Sequence, residues 1–291
     1  MFHVASRRAP EPLNLSSAHH AYPVEQKLNI PRLLARPAFS EPSRDALARL
    51  DKGLAGVPLD YVKKILASKA SDMILARPRR ARLPDPHLRH PLLPRVLRVH
   101  AHRRLLRDRA SLPASATVPL YPASALVMAA HCALLPPLPR SHPHAPRRAG
   151  LTLPIVPLTV PSPETFALLH AYLHTLRPDT LLAALLPALA GALPTLAASG
   201  PSSAAGERAY VGQFTSDRLV RLAHSLAGAA FQRGGSSQAA MASLMAHIKV
   251  VNGLWQNVCA LGVFDDELWG VMDLAWEVVL AAMTKVMENK A

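Results

Sequence analysis

Cysteine is scarce in this 291-residue chain: Cys132 and Cys259 are the only two. Two thiols cannot form a disulfide framework or supply a Cys-rich zinc site, which fits a reducing compartment. Aromatic residues make up only 5% of the chain and acidic residues number 19 against 33 Lys+Arg, for a formal net charge of +14. No aromatic residue occurs from Ile74 through Val118. A stacking platform for single-stranded nucleic acid is therefore absent from the stretch where the charge is densest. A secretory leader is not expected, because MFHVASRRAPEPLNL places arginine and proline where an apolar core would lie. The best candidate for a membrane span, the uncharged run Thr180 to Ser199, is broken by Pro187, Gly191 and Pro194. It reads as an Ala/Leu helix followed by a linker, with no membrane crossing expected.

What the chain has in excess is proline, 28 residues, which must sit in linkers, strand edges or first helical turns. Residues 1–39 lack any apolar period and read as a disordered arm. A helical hairpin follows over 40–76. Its first helix is expected to be capped at Ser40 and its second to start at Pro58, with Leu59, Val62, Ile65, Leu66 and Met73 opposite Lys63, Lys64 and Lys69. Residues 77–111 read as an Arg/Pro-rich linker with a short helix after Pro94. Eleven arginines between Arg77 and Arg109 face only Asp85 and Asp108, so the basic excess is local. By contrast, residues 250–291 hold six acidic side chains against two lysines.

Residues 112–190 alternate strand, helix, strand and helix: Thr117–Tyr121, a helix opened by Pro122, then 151–160, which Pro154 and Pro157 restrict to a sheet edge or an irregular segment. Ser162-Pro163-Glu164 then starts a helix burying Phe166, Leu169 and Leu173. After a linker over 191–215, residues 216–291 form a bundle of three helices. Its starts are Thr215 or Ser216, Ser236 or Ser237, and Asp265, and glycines at 234–235 and 262 end the first two helices. The nearly all-apolar stretch 274–283 marks the third helix as central. The fold class is α+β and predominantly helical.

No catalytic constellation is assigned, and no metal or cofactor. His170 and His174 have the i, i+4 spacing of a zinc protease helix, but Ala171 stands where the general-base glutamate belongs. They read as the polar flank of a packed helix. His100 with His102, and His142 with His144, read as loop residues. His131 and Cys132 are adjacent and point about 100° apart on a helix, so Cys132 reads as a small core residue. Asp265, Asp266 and Glu267 suit a helix N-terminus. Arg77, Arg79, Arg80, Arg82, Arg103 and Arg104 are candidate nuclear-import or polyanion contacts. Leu126, Phe166, Leu169, Tyr172, Trp255 and Trp269 are candidate interaction and core positions.

Two resemblances rest on particular stretches. VPLYPASALVMAAHC (118–132) and VPLTVPSPETFALLHAYLHT (156–175) resemble the middle of a BTB/POZ domain, with Pro122 near the position usually held by histidine. Together with SEPSRDALARLDKGLAGVPLDYVKKILASKASDMI (40–74) and the helices of 216–280, they resemble the clampless family, regulators of sexual development in basidiomycete fungi. That resemblance implies a nuclear, non-enzymatic regulator of the mating-type pathway. It would be needed for clamp-cell formation and would contact protein partners such as transcription regulators. The alternative from the residues alone is a basic protein binding the phosphate backbone of nucleic acid through Arg77–Arg109. Neither reading fixes an oligomeric state.

Overall fold

The computed structural model describes residues 30–69, 94–101, 120–138, 155–196 and 210–289. Helices predominate. In chain order the elements are α1 (Arg44–Leu50), α2 (Leu59–Ser68), β1 (Pro94–Ala101), β2 (Leu120–Ser124), α3 (Ala125–His131), β3 (Ile155–Val160), α4 (Pro163–Thr175) and α5 (Pro178–Leu185). Three long helices follow, α6 (Ser216–Gly234), α7 (Ser237–Leu261) and α8 (Asp266–Glu288). Single 3₁₀ turns occupy Lys52–Leu54, Pro187–Ala192 and Tyr210–Gln213.

Side-chain caps set most helix starts. Ser43, Ser124, Thr215, Ser236 and Asp265 each accept a hydrogen bond from the backbone N–H three residues on. The first helix thus starts at Ser43 rather than Ser40, because Ser43 Oγ faces the Ala46 N–H. Gly235 and Gly262 end α6 and α7 in the left-handed region, at φ 67° and 62°. α1 and α2 each pack against α3. In α2, Leu59, Val62 and Leu66 are buried as expected, while Ile65 is exposed.

The sheet has the order β2-β1-β3, with β1 antiparallel to β2 and parallel to β3. Its middle strand falls inside the arginine-rich run, where the sequence suggests a linker and a short helix after Pro94. The valines of PRVLRVHA favour extended backbone, and pairing on both sides supplies hydrogen bonds that an isolated eight-residue helix could not match. Pro122 in β2 and Pro157 in β3 sit in the edge strands, and Pro94 is the first residue of the middle strand, positions where a missing donor is tolerated. β2 extends through Pro122 to Ser124, so the helix opens at Ala125 rather than at Pro122. β3 alternates, with Val156, Leu158 and Val160 facing the core.

α8 is the central helix of the C-terminal region, packed against α6, α7 and α5. α4 packs against α7. One hydrophobic cluster runs from Leu34 through α2, α3, β3, α4 and α5 to Val286, so the sheet region and the bundle share a core. Residues 30–39, expected to lie in a disordered arm, are instead laid across the bundle with Leu34 buried among its side chains. Residues 1–29 lie outside the described residues.

Candidate functional site

The three tryptophans of the chain, Trp255 on α7 and Trp269 and Trp276 on α8, all face the segment 30–36, which bends at Arg32 and Leu33. Trp276 Nε1–H donates to the Pro31 carbonyl at 3.0 Å, and Trp255 Nε1–H donates to the Ala35 carbonyl at 2.7 Å. The two acceptors are four residues apart along the chain. Between them Leu34 is buried, while its neighbour Leu33 points to solvent and is 78% exposed. Arg36 then places its guanidinium 5.3 Å from the centre of the Trp269 ring and 2.6 Å from Asp273 Oδ2. Indole rings are large apolar bodies with one donor each. Here the bodies complete the core and the donors reach outward to a peptide backbone. Trp269 spends its own donor inside, on the Val263 carbonyl at 3.1 Å. Just beyond, Phe39 packs edge-on against Phe264 at 5.0 Å.

A second cluster surrounds β2 and α4. His170 Nε2 lies 2.9 Å from the Pro122 carbonyl, which can only accept, so this nitrogen carries the proton. His174 Nε2 accepts the Ser124 N–H at 3.1 Å, and its Nδ1–H donates to the His170 carbonyl at 2.8 Å. The two rings stack at 4.3 Å. The HAYLH spacing therefore fastens the edge strand to α4, with both His174 nitrogens already committed. Burial, reinforced by His174, pushes His170 down to about 4. Burial also lowers His174, against the hydrogen bond to the His170 carbonyl. His131 is held at about 4 by burial and then by Lys63 of α2. Burial pushes the adjacent Cys132 thiol up to about 12, so it is no ready nucleophile.

Tyr172 Oη–H donates to Asp265 Oδ1 at 2.6 Å, and the same oxygen accepts the Leu268 N–H at the start of α8. Burial and then Asp265 push the Tyr172 phenol upward. Glu267 accepts from the backbone of Val211 and Tyr210, while burial raises its carboxyl. Asp265 thus holds a helix start and Glu267 the turn at Tyr210–Gln213. Between α1 and the segment after α3 lies an apolar cavity of about 140 Å³ lined by Ala46, Leu50, Cys132, Leu135 and Leu138 among others. That is well below the roughly 300 Å³ at which small-molecule pockets begin.

Of the positions singled out from sequence, Arg77, Arg79, Arg80, Arg82, Arg103 and Arg104 lie outside the described residues, as do His102, His142 and His144. His100 stands in β1. Leu126, Phe166, Leu169 and Tyr172 are buried together around α3 and α4, and Trp255 and Trp269 are buried beneath segment 30–36. Trp276, Asp273 and Asn257 were not singled out. Their roles depend on backbone atoms or on residues distant in sequence, and only the unusual grouping of all three tryptophans between 255 and 276 hinted at them.

The fold and these clusters define a helix-rich α+β protein whose buried polar side chains hold segments together across one core. Residues 37–161 match the family model of the Clampless protein 1 N-terminal domain, and residues 179–291 match that of the Clampless protein 1 C-terminal domain. The chain belongs to the clampless family. Two curated relatives, both named Clampless protein 1, come from Cryptococcus neoformans var. neoformans serotype D, strains JEC21 and B-3501A. Each is 30% identical over 149 residues, covering 51% of this chain and 24% of the relative. The chain thus spans about a quarter of the length of the curated relatives it matches. No solved structure matches.

Proposed function

We propose that this chain regulates fungal sexual development, at the step of clamp-cell formation in the mating-type pathway, and that it does so in the nucleus through protein contacts without catalysis. The observation that carries this reading is the pair of family matches, which extend from residue 37 to residue 291 with one short gap. It is supported by what the polar groups do. His170, His174, Asp265 and Asn257 are engaged in holding strands and helix starts, as a scaffold for contacts requires. The alternation of β2, α3, β3 and α4 supports reading this region as BTB/POZ-like, a fold used for protein association. Transcription regulators are the partner class that this developmental role favours.

Complementation of a clamp-deficient basidiomycete strain tests the proposal: restored clamp cells are expected, and failure of a well-expressed chain to restore them would overturn it. The same assay separates the nucleic-acid alternative if the arginines are changed without removing the segment. Deleting residues 77–109 would excise β1, the middle strand of the sheet. Replacing Arg77, Arg79, Arg80, Arg82, Arg103 and Arg104 with glutamine keeps that strand. Clamp formation by this variant is expected under the protein-contact reading. Its loss, together with loss of salt-sensitive nucleic-acid binding by the purified chain, would favour the alternative.

A further inference from the structure

We propose that the groove across α7 and α8 is a peptide-binding site that residues 30–36 occupy in cis, and that its partner ligand is a non-helical segment carrying a leucine-like side chain followed two positions later by arginine. Two of its contacts, from Trp276 and Trp255, go to main-chain carbonyls. Such contacts require carbonyls that no helix or sheet has used and are blind to side-chain identity. Selectivity comes from the two remaining contacts. A buried site takes Leu34, and Asp273 with the Trp269 ring takes the Arg36 cation.

Three observations indicate that the occupant can be exchanged. Segment 30–36 has neither helix nor strand pairing, so nothing cooperative ties it down beyond these anchors. Its outer side is open, with Leu33 and half of the Arg36 side chain in solvent. The groove lies wholly within the C-terminal family match, whereas residues 30–36 precede both matches. Charge agrees with a cationic ligand, since residues 250–291 carry six acidic side chains against two lysines. A tethered occupant acts as a competitor at a high effective concentration, so a partner segment must displace it.

This inference deepens the protein-contact reading above. It is tested on purified chain, so its failure leaves the hyphal complementation result standing, and the reverse also holds. The probe is a fluorescein-labelled peptide with the sequence of residues 30–38, IPRLLARPA, read by anisotropy against the full chain. Leu34→Asp combined with Arg36→Glu is expected to raise affinity for the added peptide at least tenfold over the unaltered chain, because the cis competitor is weakened. Asp273→Arg, at a half-exposed position that does not threaten folding, is expected to weaken the native peptide at least tenfold relative to a peptide with glutamate at the Arg36 position. Equal affinity of the unaltered and double-variant chains, or indifference of Asp273→Arg to the peptide's charge, would overturn the proposal. So would a concentration-dependent dimer that exchanges segment 30–36 between two copies and takes up no peptide.

Discussion

Asn257 of α7 and Ser162 at the start of α4, 95 residues apart, exchange two hydrogen bonds: the Ser162 N–H donates to Asn257 Oδ1 at 2.9 Å, and Asn257 Nδ2–H donates to the Ser162 carbonyl at 2.6 Å. The same amide reaches Thr165 Oγ1 at 3.0 Å, and the Asn257 side chain is fully buried. Ser162 uses its own hydroxyl on Glu164 instead of capping α4. Asn257 therefore acts as a cap supplied from another helix, and it joins the sheet region to the bundle.

Asn257→Ala removes both bonds to Ser162; the Ser162 carbonyl keeps the Thr165 N–H and hydroxyl as donors, but the Ser162 N–H loses its acceptor. A loss of about 1–3 kcal/mol is expected, the cost of one stranded group. Urea denaturation measures it. Asn257→Asp discriminates between size and chemistry: it keeps the shape but sets an oxygen against the Ser162 carbonyl, and should be no better than alanine. If aspartate restored full stability, the cap would have been wrongly assigned.

The histidine cluster makes stability depend on pH. His131 and His170 are lowered from the ordinary 6.5 to about 4, and His174 is lowered too, so the unfolded chain binds more protons below pH 6.5. Stability is then fully present above pH 6.5 and falls with pH below it. At one unit below the unfolded value, keeping His131 or His170 neutral costs roughly 1.4 kcal/mol each. The urea midpoint should drop clearly from pH 7.5 to pH 5.5, while Glu267, whose carboxyl burial raises, acts in the opposite sense. His170→Gln can still donate to the Pro122 carbonyl but cannot titrate, so the drop should shrink by roughly 1 kcal/mol. An undiminished drop would remove His170 from the explanation.

Much of the bundle was legible because its information is local. Thr215, Ser236 and Asp265 mark helix starts through their own side chains, and Leu244, Ile248, Val251, Trp255 and Val258 repeat with the helical period. Pro157 likewise announced a sheet edge. β1 was not legible, because arginines and prolines around it mask the short PRVLRVHA pattern and its partners lie about 25 and 60 residues on. Segment 30–36 was hidden for a different reason: Trp255 and Trp276 hold it by carbonyl oxygens that every residue possesses. The HAYLH pair shows a third kind of ambiguity. Its spacing puts two imidazoles on one face, but whether they meet a metal or a strand depends on where Pro122 and Ser124 fold.

Asp179, at the start of α5, ties down the chain that leaves the bundle. Its carboxylate accepts from Arg177 at 2.8 and 2.6 Å and from the Leu196 N–H at 3.0 Å, while Arg177 also donates to the Leu196 carbonyl. Burial pushes the Asp179 carboxyl up, but the Arg177 guanidinium and the backbone N–H groups outweigh it and hold the group below the usual range. Its contribution is therefore present above the ordinary carboxylate pKa and is lost as pH falls through the folded value. Asp179→Asn strands a nearly buried site with an amide facing a guanidinium. A loss of about 2–3 kcal/mol is expected at pH 7, less than for a fully buried pair because Arg177 remains about one-third exposed. Matching urea curves for the two proteins would mean that solvent replaces these contacts without cost.

Two glycines inside helices should respond in opposite directions to the same substitution. Gly228 in α6 faces open space, with nothing within 4 Å of a Cβ placed there, so Gly228→Ala should gain about 0.5–1 kcal/mol by reducing the freedom of the unfolded chain. Gly253 in α7 sits where α4 begins, and a Cβ there would lie 2.6 Å from Ser162 Oγ and 3.0 Å from Thr165 Cγ2. Neither neighbour can yield readily, because Ser162 Oγ is bonded to Glu164 and Thr165, and Asn257 from the same helix grips the Ser162 backbone and Thr165 Oγ1. The helical gain is then outweighed by overpacking, and Gly253→Ala should lose about 1–3 kcal/mol. Thermal melts of both variants at pH 7.5 measure the pair. If Gly253→Ala were as stabilising as Gly228→Ala, α4 and α7 would have to stand farther apart than the Asn257 bonds require.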